Sequence, residues 1–372
     1  MRRITTAICA VTVAIAGAVG TAPAADAFGF GGFGHGYGHF GGFPGDTTIV
    51  RPGQSIQAAI DATKTGGTVI VKPGTYGENL QITRGVNLVG FGATLVPPST
   101  PQPANACSSD TTSDDGICIA GQFTVDPDTG AVTVQQYVTG VKISGLTVQG
   151  FGGTGIVQYG GSGSTFTSVQ ALNNGEYGIA AFDSTGTTES FNTATGSGEA
   201  GFYIGDSHPA NATLFANTSY NNQFGFFVRD AEHGKLLNNL SIGNCVGALF
   251  LADAPGPDGA FTVAGNAFKN NTKACPGSDD GPPASGIGVA ILGAHDVNVE
   301  WNEIAKNVAT GPTLASAGVF IVSGFGGTAP LNNRVQHNLI VKNSVDVLWD
   351  GSGTGNVLQP NLCQTSQPTG LC

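Results

Sequence analysis

The chain has 372 residues, of which 59 are glycine and only 10% are charged, well below the ~25% of an ordinary globular chain. A 40% hydrophobic share is enough for a core and excludes general disorder, while glycine at roughly one residue in six opposes helix throughout and excludes a long helical protein. With 14 basic against 25 acidic residues the net charge is −11, which argues against nucleic acid as a partner and leaves any anionic substrate in need of a local basic patch or a bridging cation.

Taken in chain order, residues 1–27 read as a secretory signal peptide. Arg2 and Arg3 precede an apolar run from Ile4 to Val19, and Ala25 and Ala27 bracket Asp26 in an A-x-A-like cleavage site. The run is short for a membrane span and no second span follows. The expectation is a bacterial protein secreted to the exterior, with a mature charge of −12 after loss of two arginines and one aspartate. Residues 28–46 form a glycine-, aromatic- and histidine-rich arm that cannot bury a core. Its His35 and His39 offer a metal site only against the cost of ordering a flexible loop.

Residues 47–372 carry the folded domain. Ser55 is an N-cap, and Ile56, Ala59 and Ile60 make one apolar stripe. Gly66 and Gly67 stop this single short helix. The alternating segments TVIV and NLQI follow as strands around the turn PGTYGEN. Farther on, a glycine followed by an apolar run recurs at Gly155, Gly178, Gly201, Gly225 and Gly247, and again at Gly288 and Gly318 after longer intervals. A period near 23 residues with short apolar runs predicts stacked coils, each needing its neighbours to bury its inner residues. Paired asparagines five apart (Asn217/Asn222, Asn239/Asn244, Asn266/Asn271, Asn302/Asn307, Asn338/Asn343) keep the same register. They are expected to hydrogen-bond along ladders at the coil corners, where asparagine tolerates left-handed backbone. The N-x-S/T triplets at Asn217 and Asn239 are read as by-products of these ladders.

The segment PGQSIQAAIDATKTGGTVIVKPGTYGENLQI resembles the opening of right-handed parallel β-helix proteins of the pectin-lyase-like superfamily. The resemblance implies an all-β fold, a single right-handed parallel β-helix whose short N-terminal helix caps the open end. It does not fix the function, because lyases, esterases, epimerases and non-enzymatic relatives share the fold.

Once Cys9 leaves with the signal peptide, six cysteines remain. Export favours their oxidation, and closeness in sequence points to the pairs Cys107/Cys118, Cys245/Cys275 and Cys363/Cys372. Two proline-, serine- and aspartate-rich insertions, residues 97–116 and 275–286, interrupt the array. Their Asp114/Asp115 and Asp279/Asp280 are read as solvated turns rather than calcium sites.

Four aspartates, Asp183, Asp206, Asp230 and Asp253, follow the column glycines at nearly constant offset. Stacked, they form one row at about 4.8 Å per coil, either as turn-starting residues bonded to their own backbone or as a row that shares protons or a calcium ion. The same coil ends carry Tyr203 and His208, then Arg229, Glu232, His233 and Lys235. This set suits proton abstraction beside a carboxylate: the histidines and the tyrosine would exchange the proton, and Arg229, Asp230, Glu232 and Lys235 would bind substrate. Tyr203-Ile-Gly-Asp206-Ser-His208 resembles the Y-x-x-D-P-H segment of alginate C5-epimerases. The resemblance implies proton transfer by Tyr203 and His208 with Asp206 in support. Ser207 stands where that family has proline, and the preceding coil lacks its lysine. Signatures of polygalacturonases, pectin methylesterases and pectate lyases are absent, and His295 and His337 stand without evident partners in the sequence.

Three readings of function follow. The first is a secreted, monomeric enzyme acting on a uronate polysaccharide by lyase or C5-epimerase chemistry. The second is a non-catalytic cell-surface or matrix protein that binds a glycan. The third is an exported metal-handling protein resembling the β-helix accessory proteins of copper enzymes.

Overall fold

The computed structural model describes residues 46–372 except 109–110, 127, 129, 254–255 and 278–280. The expected signal peptide, all but the last residue of the arm, and Asp279 and Asp280 lie outside the described residues. Each coil contributes three short strands, and each strand pairs in parallel with its counterpart one coil on, so the chain builds three long faces. On the first face Ile156, Ile179, Phe202, Phe226, Ala248, Val289 and Val319 stand in register and point inward. On the second, Ile143, Phe166, Glu189, Leu214, Leu236, Val263, Val299 and Val335 do the same. The third face, with Phe268 and Ile304 among its inner residues, closes the coil. This is the expected right-handed parallel β-helix.

The column glycines are required by close approach. A side chain on Gly178, Gly225 or Gly288 would strike the carbonyl of the next column glycine. The one α-helix among the described residues, Ile56–Ala62, buries Ile56, Ala59 and Ile60 over the first coils. Ser55 Oγ accepts from Ala58 N–H, and Glu78 from the following turn takes the N–H groups of Ile56 and Gln57, satisfying donors that an isolated helix leaves open. The helix ends at Ala62, ahead of the glycine pair expected to stop it. No helix among the described residues is long and apolar enough to cross a membrane.

Two asparagine ladders run through the later coils of the array. Asn217 N–H donates to Asn239 Oδ1 at 2.8 Å, Asn239 to Asn266 at 2.8 Å and Asn266 to Asn302 at 2.8 Å. The second ladder links Asn222, Asn244, Asn271, Asn307 and Asn343 in the same way. One expectation is corrected here: the ladder asparagines are not the left-handed residues. Those are the residues just before them, among them Phe191, Ala216, Asn238, Trp301 and His337. The turn of the backbone there aims the next side chain inward, where it is buried and bonds along the axis. Asn217 and Asn239 are accordingly buried, as ladder members should be.

The three cystines join Cys107 to Cys118, Cys245 to Cys275 and Cys363 to Cys372, the pairs that closeness in sequence suggested. Cys118 lies in the first-face strand Ile117–Ala120 and is fully buried, packed with Cys107, Val157 and Tyr159 on the outer side of that face. Its cystine therefore pins the first insertion onto the array. Cys372, the last residue, is exposed, and its cystine with Cys363 ties the chain end back to the final coil. Asp115 is buried and accepts the Thr154 N–H at 2.7 Å, so it organises a turn. A further excursion, the antiparallel hairpin of strands Gln122–Val125 and Val132–Gln136, leaves the coil within a stretch read as regular array.

Candidate functional site

The sequence-selected residues lie where first-face strands turn into the second face. The strand Ala200–Ser207 holds Tyr203 and Asp206, and the strand Phe224–Leu237 crosses the same corner with Arg229, Asp230, Glu232, His233 and Lys235. Register places Asp206 beside Asp230, because Gly205 pairs with Arg229 and Ser207 with Ala231. Asp183 lies one coil earlier, after the Phe182–Gly205 pair. All three have positive φ, the left-handed corner geometry that aspartate tolerates. Asp253 falls one position out of this row and donates its backbone N–H to Asp230 Oδ1 at 2.8 Å.

The charge balancing this row is internal. Arg229 Nη2 bonds Asp253 Oδ2 at 2.9 Å, and its Nε lies 3.9 Å from Asp230 Oδ2. Asp230 is 1% exposed. Burial pushes its pKa to about 7, against the pull of the Asp253 N–H and Arg229. Burial and then repulsion from Asp206 raise Asp183 to about 7, and burial raises Asp206 despite Arg229. Burial likewise raises the pKa of the fully buried Asp258, against the pull of the Ala231 N–H, and only its Oδ1 is hydrogen-bonded, to that N–H. The row therefore carries protons near neutral pH rather than four full charges. Among the described residues no group of three or more His, Cys, Asp or Glu side chains is disposed to hold a metal ion.

A second row runs beside the first. His208 Nδ1 lies 3.4 Å from Glu232 Oε2, and Glu232 Oε1 lies 3.0 Å from His295 Nε2. His295 Nδ1 in turn meets Asp296 Oδ2 at 2.9 Å. Glu232 pairs in register with Gly259, and Gly259 with His295, so the carboxylate reaches the imidazole across an intervening coil. That coil has no side chain at the crossing, and one on Gly259, at φ +152°, would collide with the His295 backbone. Gly256 of the loop between the two coils packs against the His208 ring. His208, Glu232, His295 and Asp296 all retain solvent access.

The remaining selected residues sit apart from this cluster. Tyr203 points outward from the first face yet is 1% exposed, with Tyr177, Phe182 and Phe227 rings 4.6–5.1 Å from its own. Its hydroxyl is covered by neighbouring side chains, whereas the epimerase resemblance implies contact with substrate. Lys235 is exposed on the second face between Thr213 and Thr262. His233 is exposed at φ +66° and makes no hydrogen bond or ion pair with a described residue. The cysteines are structural and stand outside the site: Cys107 and Cys118, Cys245 and Cys275, and Cys363 and Cys372 are each consumed in a cystine, so they offer no thiol for chemistry or metal binding. The residues the sequence did not select are His295, Asp296 and Asp258. They lie 63, 64 and 26 positions from Glu232, the first two beyond the insertion at 275–286, which obscures the coil count.

The family described as a right-handed beta helix region matches residues 116–281 and 154–335, together more than half of the chain. The chain belongs to the right-handed β-helix family. No curated protein matches it. Among solved structures it is similar to the A-module of the mannuronan C-5 epimerase AlgE4 of Azotobacter vinelandii, with 19% identity and a TM-score of 0.55 over 76% of this chain and 82% of that one. It is similar also to the DFA-IIIase of Arthrobacter chlorophenolicus A6 without its lid, in complex with GF2, with 11% identity and a TM-score of 0.57 over 86% and 99%. The Dettilon tailspike protein matches at 15% identity and a TM-score of 0.53 over 87% and 60%. At these identities the likeness is one of fold.

Proposed function

We propose that this protein is exported and monomeric and acts on a uronate polysaccharide, moving a proton at the carbon next to the sugar carboxylate as a lyase or C5-epimerase does. The observation that carries this reading is Glu232, shared by His208 and His295 at a solvent-open corner. Two imidazoles joined through one carboxylate place a candidate base and a candidate acid at one corner. Arg229 is held in place by Asp253 and gives the corner its fixed positive charge, and the neighbouring Asp183 and Asp230 titrate near neutrality. A mannuronan C-5 epimerase is among the structures to which the chain is similar, which favours a carbohydrate substrate. Three cystines fit an oxidising, extracytoplasmic location.

The test is turnover of alginate and polygalacturonate, read as ultraviolet absorbance of unsaturated ends and as inverted C5 centres by proton NMR. A His208→Ala, His295→Ala double variant is expected to lose at least about 100-fold in rate, the scale of general acid–base catalysis. Wild-type rates in that variant would remove the assignment. The same assay tests calcium: a drop in turnover on chelation that an Asp206→Asn variant no longer shows would support an ion shared along the row of Asp183, Asp206, Asp230 and Asp253.

The burial of Tyr203 favours a second reading, a glycan-binding β-helix without chemistry. Retention of the polymer with no product on any uronate would select it.

A further inference from the structure

The far end of the second face shows a different feature. At the corner into the third face one left-handed position recurs from coil to coil, held in turn by Ser168, Phe191, Ala216, Asn238, Gly265, Trp301 and His337. A bulky side chain in this conformation is strained, at about 1–2 kcal/mol. Small or amide residues are the expected occupants, and serine, alanine, asparagine and glycine hold four of the seven positions. Trp301 nonetheless sits there at φ +58° with 66% exposure, so burial does not repay the strain. Its indole stacks on the His337 ring with centroids 4.8 Å apart and planes 9° from parallel.

One indole face is therefore covered by imidazole. On the other side the preceding coil has Gly265 at the corner, so no side chain projects from that position, and the Asn238 carboxamide leans over the glycine from one coil farther. Polar groups flank the ring on both sides: Glu300 and Gln336 on the second face, and the Lys269–Glu303 ion pair on the third. Lys269 is neutralised by its partner, so the site has no net positive charge with which to capture an anion.

We propose that Trp301, backed by His337, is a stacking platform for a pyranose ring of a polysaccharide. The apolar C–H face of the sugar would lie on the indole, and its hydroxyls would meet Asn238 and the polar rim. A flat aromatic face inside a charged rim suits a hydroxylated ring; a protein partner would find charge where interface cores are depleted of it. The site is distinct from the His208–Glu232–His295 corner and binds sugar whether or not that corner performs chemistry.

The experiment is electrophoresis of the whole exported chain in native gels containing alginate, polygalacturonate or a neutral β-glucan, with size-exclusion light scattering alongside. Ala216 and Phe191 occupy the same corner position, so Trp301→Ala and Trp301→Phe are compatible with the fold. Wild-type protein is expected to be retarded in at least one gel and the alanine variant roughly two- to tenfold less so, with partial rescue by phenylalanine and equal melting temperatures. Equal retardation of wild type and Trp301→Ala would overturn the proposal, as would no retardation in any gel. A dimer that Trp301→Ala dissolves would make the platform a self-association surface instead.

Discussion

Glu189 shows how one residue can work against its surroundings. It stands in the inner row of the second face between Phe166 and Leu214, fully buried, with neither carboxyl oxygen hydrogen-bonded to a described residue. Burial pushes its pKa well above the ordinary 4.5. The folded state then holds a proton that the unfolded chain releases above that ordinary value, so stability is greatest at low pH and declines as pH rises toward the folded pKa. The raised values of Asp183 and Asp230 act in the same direction up to about pH 7. Glu189→Leu, which places in this row the residue type found at Leu214 and Leu236, should stabilise the protein by about 1–3 kcal/mol at pH 8 and by less at pH 4. Urea midpoints at both pH values measure the effect, and an unchanged midpoint at pH 8 would mean that the carboxyl is satisfied in the interior. Sequence alone showed Glu189 only as one polar residue among many, because burial in the lumen depends on the register of neighbouring coils.

At the scale of the element, the corner is the working unit. Asparagines five apart announced two ladders, and both are present, because one side-chain amide can accept from its counterpart one coil back while donating to a backbone carbonyl. Asn266 illustrates the demand: its Oδ1 accepts the Asn239 N–H, its N–H donates to Asn302 Oδ1 and its Nδ2 donates to the Leu236 carbonyl. Asn266→Ala should therefore cost about 1–3 kcal/mol by orphaning a buried donor and acceptor. Asn361→Ala, at the end of the same ladder and part-buried, should cost less. Equal losses in thermal unfolding would show that position in the ladder does not matter. Asparagine spacing could not reveal which residue takes the left-handed turn. Phe191, Trp301 and His337 hold that position against their intrinsic preference, so propensity pointed to the ladder asparagines instead.

For the whole molecule, stacking makes stability additive along the axis, since each coil contacts mainly its neighbours. The Cys245–Cys275 cystine ties the insertion to a buried coil corner across 30 residues. Its replacement by serines should cost about 2–4 kcal/mol. The same replacement should disturb the site less than Gly259→Ala, which presses directly on His295. Comparing the two variants by melting temperature and by imidazole NMR shifts separates global loosening from local displacement, and equal shifts in both would mean that the His295 contact is not local.

The sequence by itself determined the β-helix and the capping helix, suggested the three cystine pairs, and singled out the coil corner that carries the candidate site. These depend on local period, on residues near one another in the chain, such as Cys107 and Cys118 or Cys363 and Cys372, and on a motif resemblance at its start. The tertiary structure decided which polar residues meet. Glu232 joins His208 and His295 because coils about 4.8 Å apart bring together residues 24 and 63 positions apart, and because Gly259 leaves the crossing open. Tyr203, which looked catalytic in its motif, is covered by rings from neighbouring coils. Insertions between coils remove the constant spacing that would have aligned His295 in the sequence, whereas backbone hydrogen bonding between strands restores that alignment in space.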